Sequence, residues 1–330
     1  MKLSLEQIEK ISIGTSYVDE ADGKIVLHRF TKEQEEAYKG WCDDFYNKCF
    51  ATAGVRLEFF TDSASIFLKV KIHHASSRAF FTHDIFVDGK MIGQLGANHE
   101  TYSDMDNTYV CGKFYLGEGE KKVCIYFPWS FSSQIAELSL DDGATLSPVE
   151  KKYRMIMFGD SITHGYDAYS TSNSYATKLA DMFNANAVNK GIGAEKFRPE
   201  LAALKDYFEP DIITVAYGTN DWGCNNQSEF ETASKGFYEN LSKNYPNAKI
   251  FAITPIWRAD IDDTRDFKFR YVNEYLHKIA DSLDNVTAID GYDLVPENTT
   301  LFSDLYLHPN DEGFKYYAEN LYKKIKELFI

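Results

Sequence analysis

From about residue 10 to 145, apolar and polar positions alternate in short runs separated by polar turns, which is the pattern of half-buried β-strands. The clearest runs cover residues 24–30, 55–60, 65–72, 80–87, 113–116 and 123–127. Asp88 and Gly89 separate two apolar runs and predict a hairpin, since both residues tolerate positive φ. This half is predicted to be an all-β sandwich. Residues 32–49 fit either a short helix or an aromatic loop. We expect Trp41 and Tyr46 in this segment to be buried rather than to form a platform that binds sugars.

The pattern changes after a short linker, and strands then alternate with helices. Apolar strands are predicted at residues 155–158, 187–188, 212–217 and 249–254, and helices at 174–183 and after Asn310, where apolar residues recur at spacings of three and four. This alternation predicts a doubly wound α/β layer on a parallel sheet. We therefore expect two domains, at residues 1–147 and 148–330. The loops that follow the strands should share one sheet edge, where such folds bind ligands.

Composition and charge narrow the possible partners. The 330 residues carry a formal net charge of -15, and no basic cluster is present that would bind nucleic acid or an anionic membrane surface. No apolar run is long enough to span a membrane, and the first residues lack the apolar core of a signal peptide, so we expect a cytoplasmic protein. The 5 cysteines are widely spaced and form no CxxC pair. We expect neither a disulfide framework nor a metal or other cofactor.

Four short segments occupy the predicted strand-end loops: FGDSIT at 158–163, NKGIGA at 189–194, GTND at 218–221 and DLYLHPN at 304–310. A serine on a strand-to-helix turn, here Ser161, can expose its hydroxyl and its own N–H. His308 could accept the hydroxyl proton, and Asn220 could donate to a developing oxyanion. Each segment alone could be an ordinary turn or helix cap. All four at successive strand ends favour catalysis.

In order and spacing, these four segments resemble the four blocks of the SGNH (GDSL-type) hydrolase superfamily, over about residues 153–325. The resemblance implies a flavodoxin-like three-layer domain with a parallel sheet, Ser161 as nucleophile and His308 as base. It also implies an oxyanion hole made by Ser161, a small residue of the second block and Asn220. The sequence around YGTNDW and TPIW is similar to the branch of this superfamily that has an N-terminal jelly-roll-like sandwich. That branch includes carbohydrate esterases of family two and acetyl xylan esterases.

Two positions depart from the family pattern. Ala194 stands where a glycine is usual; its N–H can still donate provided that its φ is negative, and Gly193 is the alternative donor. The family acid precedes the histidine by three positions, where this chain has Leu305. Asp304, one residue further back, is the candidate acid if the loop bulges, and a Ser–His dyad is the alternative.

The remaining candidates near the loops are aromatic or acidic. Trp222 and Trp257 could form a wall that stacks on sugars, or could pack in the core. We expect Asp160 and Asp221 to brace loops and His164 to be solvated.

The sequence therefore predicts a serine esterase that removes short acyl groups, chiefly O-acetyl, from carbohydrates or oligosaccharides. A broader lipase or thioesterase and a carbohydrate-binding module with a decayed site are the alternatives.

Overall fold

The computed structural model describes residues 1–98, 100, 105–224 and 226–329. Its first half contains three helices among eleven strands. In chain order these are α1 (Leu5–Ile11), β1 (Ser12–Ile13), β2 (Tyr17–Ala21), β3 (Lys24–His28), α2 (Lys32–Trp41), α3 (Asp43–Cys49), β4 (Arg56–Thr61), β5 (Ser65–His74), β6 (Phe81–Val87), β7 (Lys90–Ala97), β8 (Thr108–Tyr115), β9 (Lys121–Tyr126), β10 (Phe131–Leu140) and β11 (Ser147–Pro148).

The antiparallel strands form two sheets that enclose one apolar core, so the predicted sandwich is confirmed. One sheet has the order β1-β4-β9-β6-β7 with β11 paired to β4, and the other has the order β2-β3-β10-β5-β8. The predicted hairpin joins β6 to β7, with φ values of 48° at Asp88 and 78° at Gly89. The boundary predicted between residues 147 and 148 falls within β11, which is still part of the sandwich.

The second half alternates strands and helices as predicted. Its elements are β12 (Tyr153–Gly159), α4 (Ser161–His164), α5 (Tyr175–Met182), β13 (Ala185–Gly191), α6 (Pro199–Ala202), β14 (Ile212–Ala216), α7 (Thr219–Cys224), α8 (Gln227–Asn244), β15 (Lys249–Ile253), α9 (Phe269–Ala280), β16 (Val286–Ile289) and α10 (Asp311–Phe329), with 3-10 turns at Thr171–Asn173 and Thr299–Leu301.

All five strands of this sheet are parallel, in the order β13-β12-β14-β15-β16. This is the flavodoxin-like order, with the topological switch between β12 and β14, and apolar clusters cover both faces of the sheet. The predicted fold class is confirmed. Among the described residues, no helix combines the length and apolar character needed to cross a membrane.

Residues 32–49, left open by the sequence, form α2 and α3, and Trp41 and Tyr46 are half-buried against the core of the second half. Thr31 caps α2 with a capping box that includes Gln34. These helices therefore form part of the junction between the sandwich and the α/β layer.

The two halves share a buried polar junction centred on Arg29, which is 0% exposed. Its guanidinium donates to the carbonyl oxygens of Lys48 and Ala51 in the first half and of Asn189 and Gly191 in the second. Burial lowers the pKa of Arg29 to about 10, so it stays charged at neutral pH. One buried cation thus joins the sandwich to the end of β13.

Candidate active site

Ser161 lies where β12 ends and α4 begins. The carboxylate of Asp160 caps α4 by accepting the Ile162 N–H at 2.9 Å. A Cβ at Gly159 would lie 2.0 Å from Thr163 Oγ1, so the chain can turn this sharply only with glycine there. The turn puts the Ser161 hydroxyl at the carboxyl edge of the sheet, as predicted.

His308 lies within hydrogen-bond distance of this hydroxyl. The distance from Ser161 Oγ to His308 Nε2 is 2.9 Å, and the distance from His308 Nδ1 to Asp304 Oδ2 is 2.7 Å. Leu305 makes the four-residue spacing possible, because its φ of 68° bulges the loop and turns Asp304 back toward the ring. The structure thus brings the three predicted side chains together in the relative order of a Ser–His–Asp triad.

Asp304 is held in its ionised form. Burial alone would raise the pKa of Asp304, but hydrogen bonds from His308 and from the backbone N–H groups of Leu307 and Tyr306 outweigh burial and hold the pKa well below its usual range. An ionised acceptor fixes the proton of neutral His308 on Nδ1. Nε2 is then free to accept the Ser161 proton.

A second carboxylate, Asp167, lies 3.8 Å from His308 Nδ1. Arg78, from the segment between β5 and β6, binds both of its oxygens at 2.6 and 3.0 Å. Asp167, Asp304 and His308 are also the one group of three potential metal ligands found among the described residues. Arg78 already supplies a positive charge to this group, so the geometry fits a hydrogen-bonded network.

The predicted oxyanion donors converge on the same edge. Asn220 uses one amide hydrogen to bond the Glu195 carbonyl at 3.0 Å, which fixes the side chain and leaves its other hydrogen free. Gly193, the alternative donor of the second block, is unsuited because its N–H donates to His164 Nδ1 at 3.2 Å. Within the described residues, the N–H groups of Ser161 and Ala194 have no protein acceptor.

The condition that Ala194 have a negative φ is not met, since its φ is 71°, yet its N–H has no protein acceptor among the described residues. Glu195 N–H donates to the Ile192 carbonyl at 3.1 Å and closes a β-turn with Gly193 and Ala194 at its centre. Positive φ at only the second central residue defines a type II turn, which normally has glycine there. An L-residue in this conformation costs roughly 1–2 kcal/mol, so neighbouring contacts must hold the turn.

The expectation that His164 is solvated is wrong, because the residue is 0% exposed. Its Nε2 donates to the Trp129 carbonyl at 2.8 Å, and its Nδ1 accepts the Gly193 N–H. Burial, aided by the positive charge of Arg29, puts the pKa of His164 well below its usual range, which keeps the ring neutral. No sequence signal distinguished it from a loop histidine except its position three residues after Ser161.

The two tryptophans separate. Trp222 is 3% exposed and donates its indole N–H to the Phe267 carbonyl, and the guanidinium groups of Arg258 and Arg265 lie 5.1 and 4.3 Å from its ring centroid. Of the two alternatives left open for Trp222, the structure shows core packing, so the residue does not form a sugar-stacking wall. Trp257 is half-buried with its ring 5.6 Å from that of Phe302, and its role in substrate binding stays a prediction.

Asp160 and Asp221 each accept a backbone N–H, from Ile162 and Phe197, in line with the bracing role expected of them. Burial raises the pKa of Asp160 to about 6. Between about pH 4 and 6, the unfolded chain releases this proton while the folded chain retains it, so the carboxyl group costs stability as pH rises.

Replacing Asp160 with asparagine should therefore stabilise the protein at pH 8 by about 3 kcal/mol, and the gain should vanish below pH 4. Asparagine keeps the oxygen that accepts the Ile162 N–H but cannot ionise. Urea unfolding at the two pH values measures the difference. Asp62→Asn is a control of opposite sign, because hydrogen bonds from Thr145 lower the pKa of that surface carboxyl. A gain for Asp160→Asn that is equal at both pH values would contradict the prediction.

Part of the chain is similar to a known protein family. Residues 157–316 match the model of the GDSL-like Lipase/Acylhydrolase family. A search of proteins with curated functions found no match. The family match covers all four strand-end loops that the sequence singled out.

Solved structures are similar over nearly the whole chain. A salicylyl-acyltransferase from a tetracycline biosynthetic pathway has a TM-score of 0.84 at 22% identity, covering 97% of this chain and 94% of its own. A GDSL-like lipase from Bacteroides ovatus has a TM-score of 0.77 at 18% identity, covering 98% and 96%. A family two carbohydrate esterase from Clostridium thermocellum, solved with cellohexaose, has a TM-score of 0.67 at 16% identity, covering 85% and 94%. At these identities the likeness shows the shared two-layer arrangement of sandwich and α/β fold.

Proposed function

We propose that this chain, in which residues 157–316 match the model of the GDSL-like Lipase/Acylhydrolase family, is a serine esterase that removes short acyl groups, chiefly O-acetyl, from carbohydrates or oligosaccharides. The observation that carries the proposal is the continuous hydrogen-bonded series from Ser161 through His308 to Asp304. A site that had decayed into a binding surface would have no need to retain this series together with the oxyanion donors.

The geometry supports a two-stage mechanism. Ser161 Oγ attacks the ester carbonyl carbon while its proton passes to His308 Nε2, and the carbonyl electron pair moves onto oxygen. The N–H groups of Ser161 and Ala194 and the Asn220 amide stabilise this oxyanion. Collapse breaks the bond to the sugar oxygen, which takes the proton from Nε2. Water then attacks the acyl-enzyme with His308 as base, releasing the acid and restoring the Ser161 hydroxyl.

A sizeable cleft of the molecule lies away from Ser161, which supports a short acyl group over a long one. A cleft of about 570 Å³ is lined by residues such as Glu58, Lys151 and Asn184. Lys151 and Asn184 precede β12 and β13, so this cleft lies at the opposite edge of the sheet, and neither Ser161 nor His308 lines it. A lipase would need a long apolar groove that begins at the nucleophile.

Polar and aromatic side chains lie around the site, and such rings combine an apolar face with a polar group. Tyr306 is 40% exposed on the loop that carries the triad histidine. Arg78 binds Asp167 beside His308, and the segment of the half-buried Trp257 bonds the Tyr306 carbonyl through the Ala259 N–H, so both side chains are candidates to contact a sugar. The carbohydrate esterase structure with bound cellohexaose shares this fold, which makes a glycan ester a reasonable substrate class to test.

The test compares p-nitrophenyl esters from C2 to C12 and measures acetate release from acetylated xylo- and cello-oligosaccharides. We expect the highest kcat/KM at C2, with a fall of roughly 10-fold or more by C8, because each methylene that does not fit is penalised. A maximum at C8 or longer would favour the lipase alternative. Sugar binding with no turnover and no labelling by a serine-directed phosphonate would favour the binding module.

A further inference from the structure

The second-block turn at residues 192–195 has a conformation that its own sequence does not favour. In a type II turn the central peptide is rotated by about 180° relative to a type I turn. Here the central peptide joins the Gly193 carbonyl to the Ala194 N–H, and these two groups point in opposite directions across a trans bond. Alanine at the second central position favours the type I form, in which the Ala194 N–H would point in the opposite direction.

A lysine from the other half of the molecule holds this peptide. Lys48, at the end of α3, is 6% exposed, and its ammonium donates to the Gly193 carbonyl at 3.1 Å. Asp44, one turn earlier in the same helix, bonds the same ammonium at 2.5 Å and orients it. Rotation of the central peptide would break the bond between Lys48 and Gly193 and leave a buried cation with one partner fewer.

A second side chain holds the preceding peptide. Gly193 N–H donates to the neutral ring of His164, whose other nitrogen is anchored on the Trp129 carbonyl of the sandwich. A Cβ at Gly193 would lie 2.6 Å from the hydroxyl of Tyr166, so the turn also packs tightly against that ring. The N–H and the carbonyl of Gly193 are therefore both fixed, one through Trp129 and one through Lys48, by contacts that begin in the sandwich half.

We propose that Lys48 and His164 are positioning residues that lock the central peptide of the 192–195 turn, so that the Ala194 N–H points at the oxyanion. The sandwich half would then complete the oxyanion hole rather than serve as a separate appendage. This inference rests on the proposed esterase function, since it concerns how the same site stabilises its transition state.

The first test is Lys48→Met, which keeps the length of the side chain and removes the ammonium. Loss of one oxyanion donor lowers kcat by roughly 100- to 1000-fold, so a turn that spends most of its time rotated should lower kcat for p-nitrophenyl acetate by about 10- to 100-fold. KM should change by less than about threefold. A matched control is Lys121→Met, because Lys121 is also buried and donates to two backbone carbonyls, of Ser63 and Gly117, within the sandwich.

The second test adds Ala194→Gly to Lys48→Met. Glycine favours the type II turn without help, so the double variant should recover most of the lost kcat. A purely structural role for Lys48 predicts no such recovery, because glycine at residue 194 would not restore packing around α3. Melting temperatures of all variants identify any that fail to fold. If Lys48→Met does not fold, Asp44→Ala, which frees the ammonium from its second partner, takes its place with the same rescue.

His164→Leu should lower kcat in the same manner, and its matched control is His83→Leu, which removes a buried histidine that bonds Ser133 and the Leu95 carbonyl in the sandwich. If folded Lys48→Met retains as much activity as Lys121→Met, or if Ala194→Gly restores no activity, the positioning role of Lys48 is wrong, but the proposed esterase function is unaffected. A wild-type protein that is inactive on every ester would instead overturn the proposed function.

Discussion

Ser161→Ala should lower kcat for p-nitrophenyl acetate by at least about 10⁴-fold and abolish labelling by a serine-directed phosphonate. The change removes the atom that, among the described residues, is placed to attack the carbonyl carbon, and it leaves His308 with no serine proton to accept. The oxyanion donors remain, so a small residual rate above that in water is expected. Binding of the uncleaved substrate should persist, because the alanine side chain occupies less space than serine.

Initial rates and phosphonate labelling measured by mass spectrometry check this expectation. Ser303→Ala is a suitable control, since its hydroxyl lies near the site but bonds the Asp167 carbonyl at 3.4 Å instead of His308. It should retain most of the activity. Hydrolysis by Ser161→Ala within about 10-fold of wild type would mean that water is activated directly or that another nucleophile acts, and the acyl-enzyme mechanism would then be wrong.

Asp304→Asn should lower kcat by roughly 10³- to 10⁴-fold. An asparagine can still accept the backbone N–H groups of residues 306–308 through its oxygen, so the bulged loop should survive. Its amide, however, would present a donor to His308 Nδ1 and favour the tautomer with the proton on Nε2. That tautomer cannot accept the proton of Ser161.

Asp167→Asn is the matched control, because Asp167 lies 3.8 Å from the same nitrogen and is already paired with Arg78. We expect a loss of less than about 10-fold for this variant. The activities of the two variants should be compared over pH 5–9, so that a shift of the pH optimum is not mistaken for a loss of activity. A mild effect of Asp304→Asn together with a large effect of Asp167→Asn would mean that Asp167, and not Asp304, is the acid of the triad.

The site could be predicted from the sequence because the motifs that mark it are local. Each of the four segments follows or precedes a helix or strand with a clear pattern of apolar residues. Parallel strands bring their carboxyl ends to one edge of the sheet. Ser161, Asn220 and His308 could be placed this way. The contact between Asp304 and His308 could be anticipated only as a possibility, because it depends on a left-handed φ at Leu305 that no rule of side-chain preference predicts.

The features that were missed depend on contacts between distant parts of the chain. The turn at Ala194 is held by Lys48, whose partner Gly193 is 145 residues away in sequence. The burial of His164 results from the packing of Trp129 on the loop after Ser161, and that of Trp222 from two arginines of another loop. No window of sequence contains such pairs. The positive φ of Ala194 and the burial of His164 and Trp222 could therefore not be predicted from the sequence.

The buried guanidinium of Arg29 has a consequence for the way the enzyme is made. Its acceptor at Asn189 is 160 residues further along the chain, so a ribosome needs roughly 10–30 s after making the arginine before that carbonyl exists. During this interval the nascent sandwich carries a cation whose intended surroundings are half missing, and water must solvate it. Final closure of the junction is therefore a late event of biosynthesis, and a gene cut between the halves would yield a first fragment with this charge left uncovered.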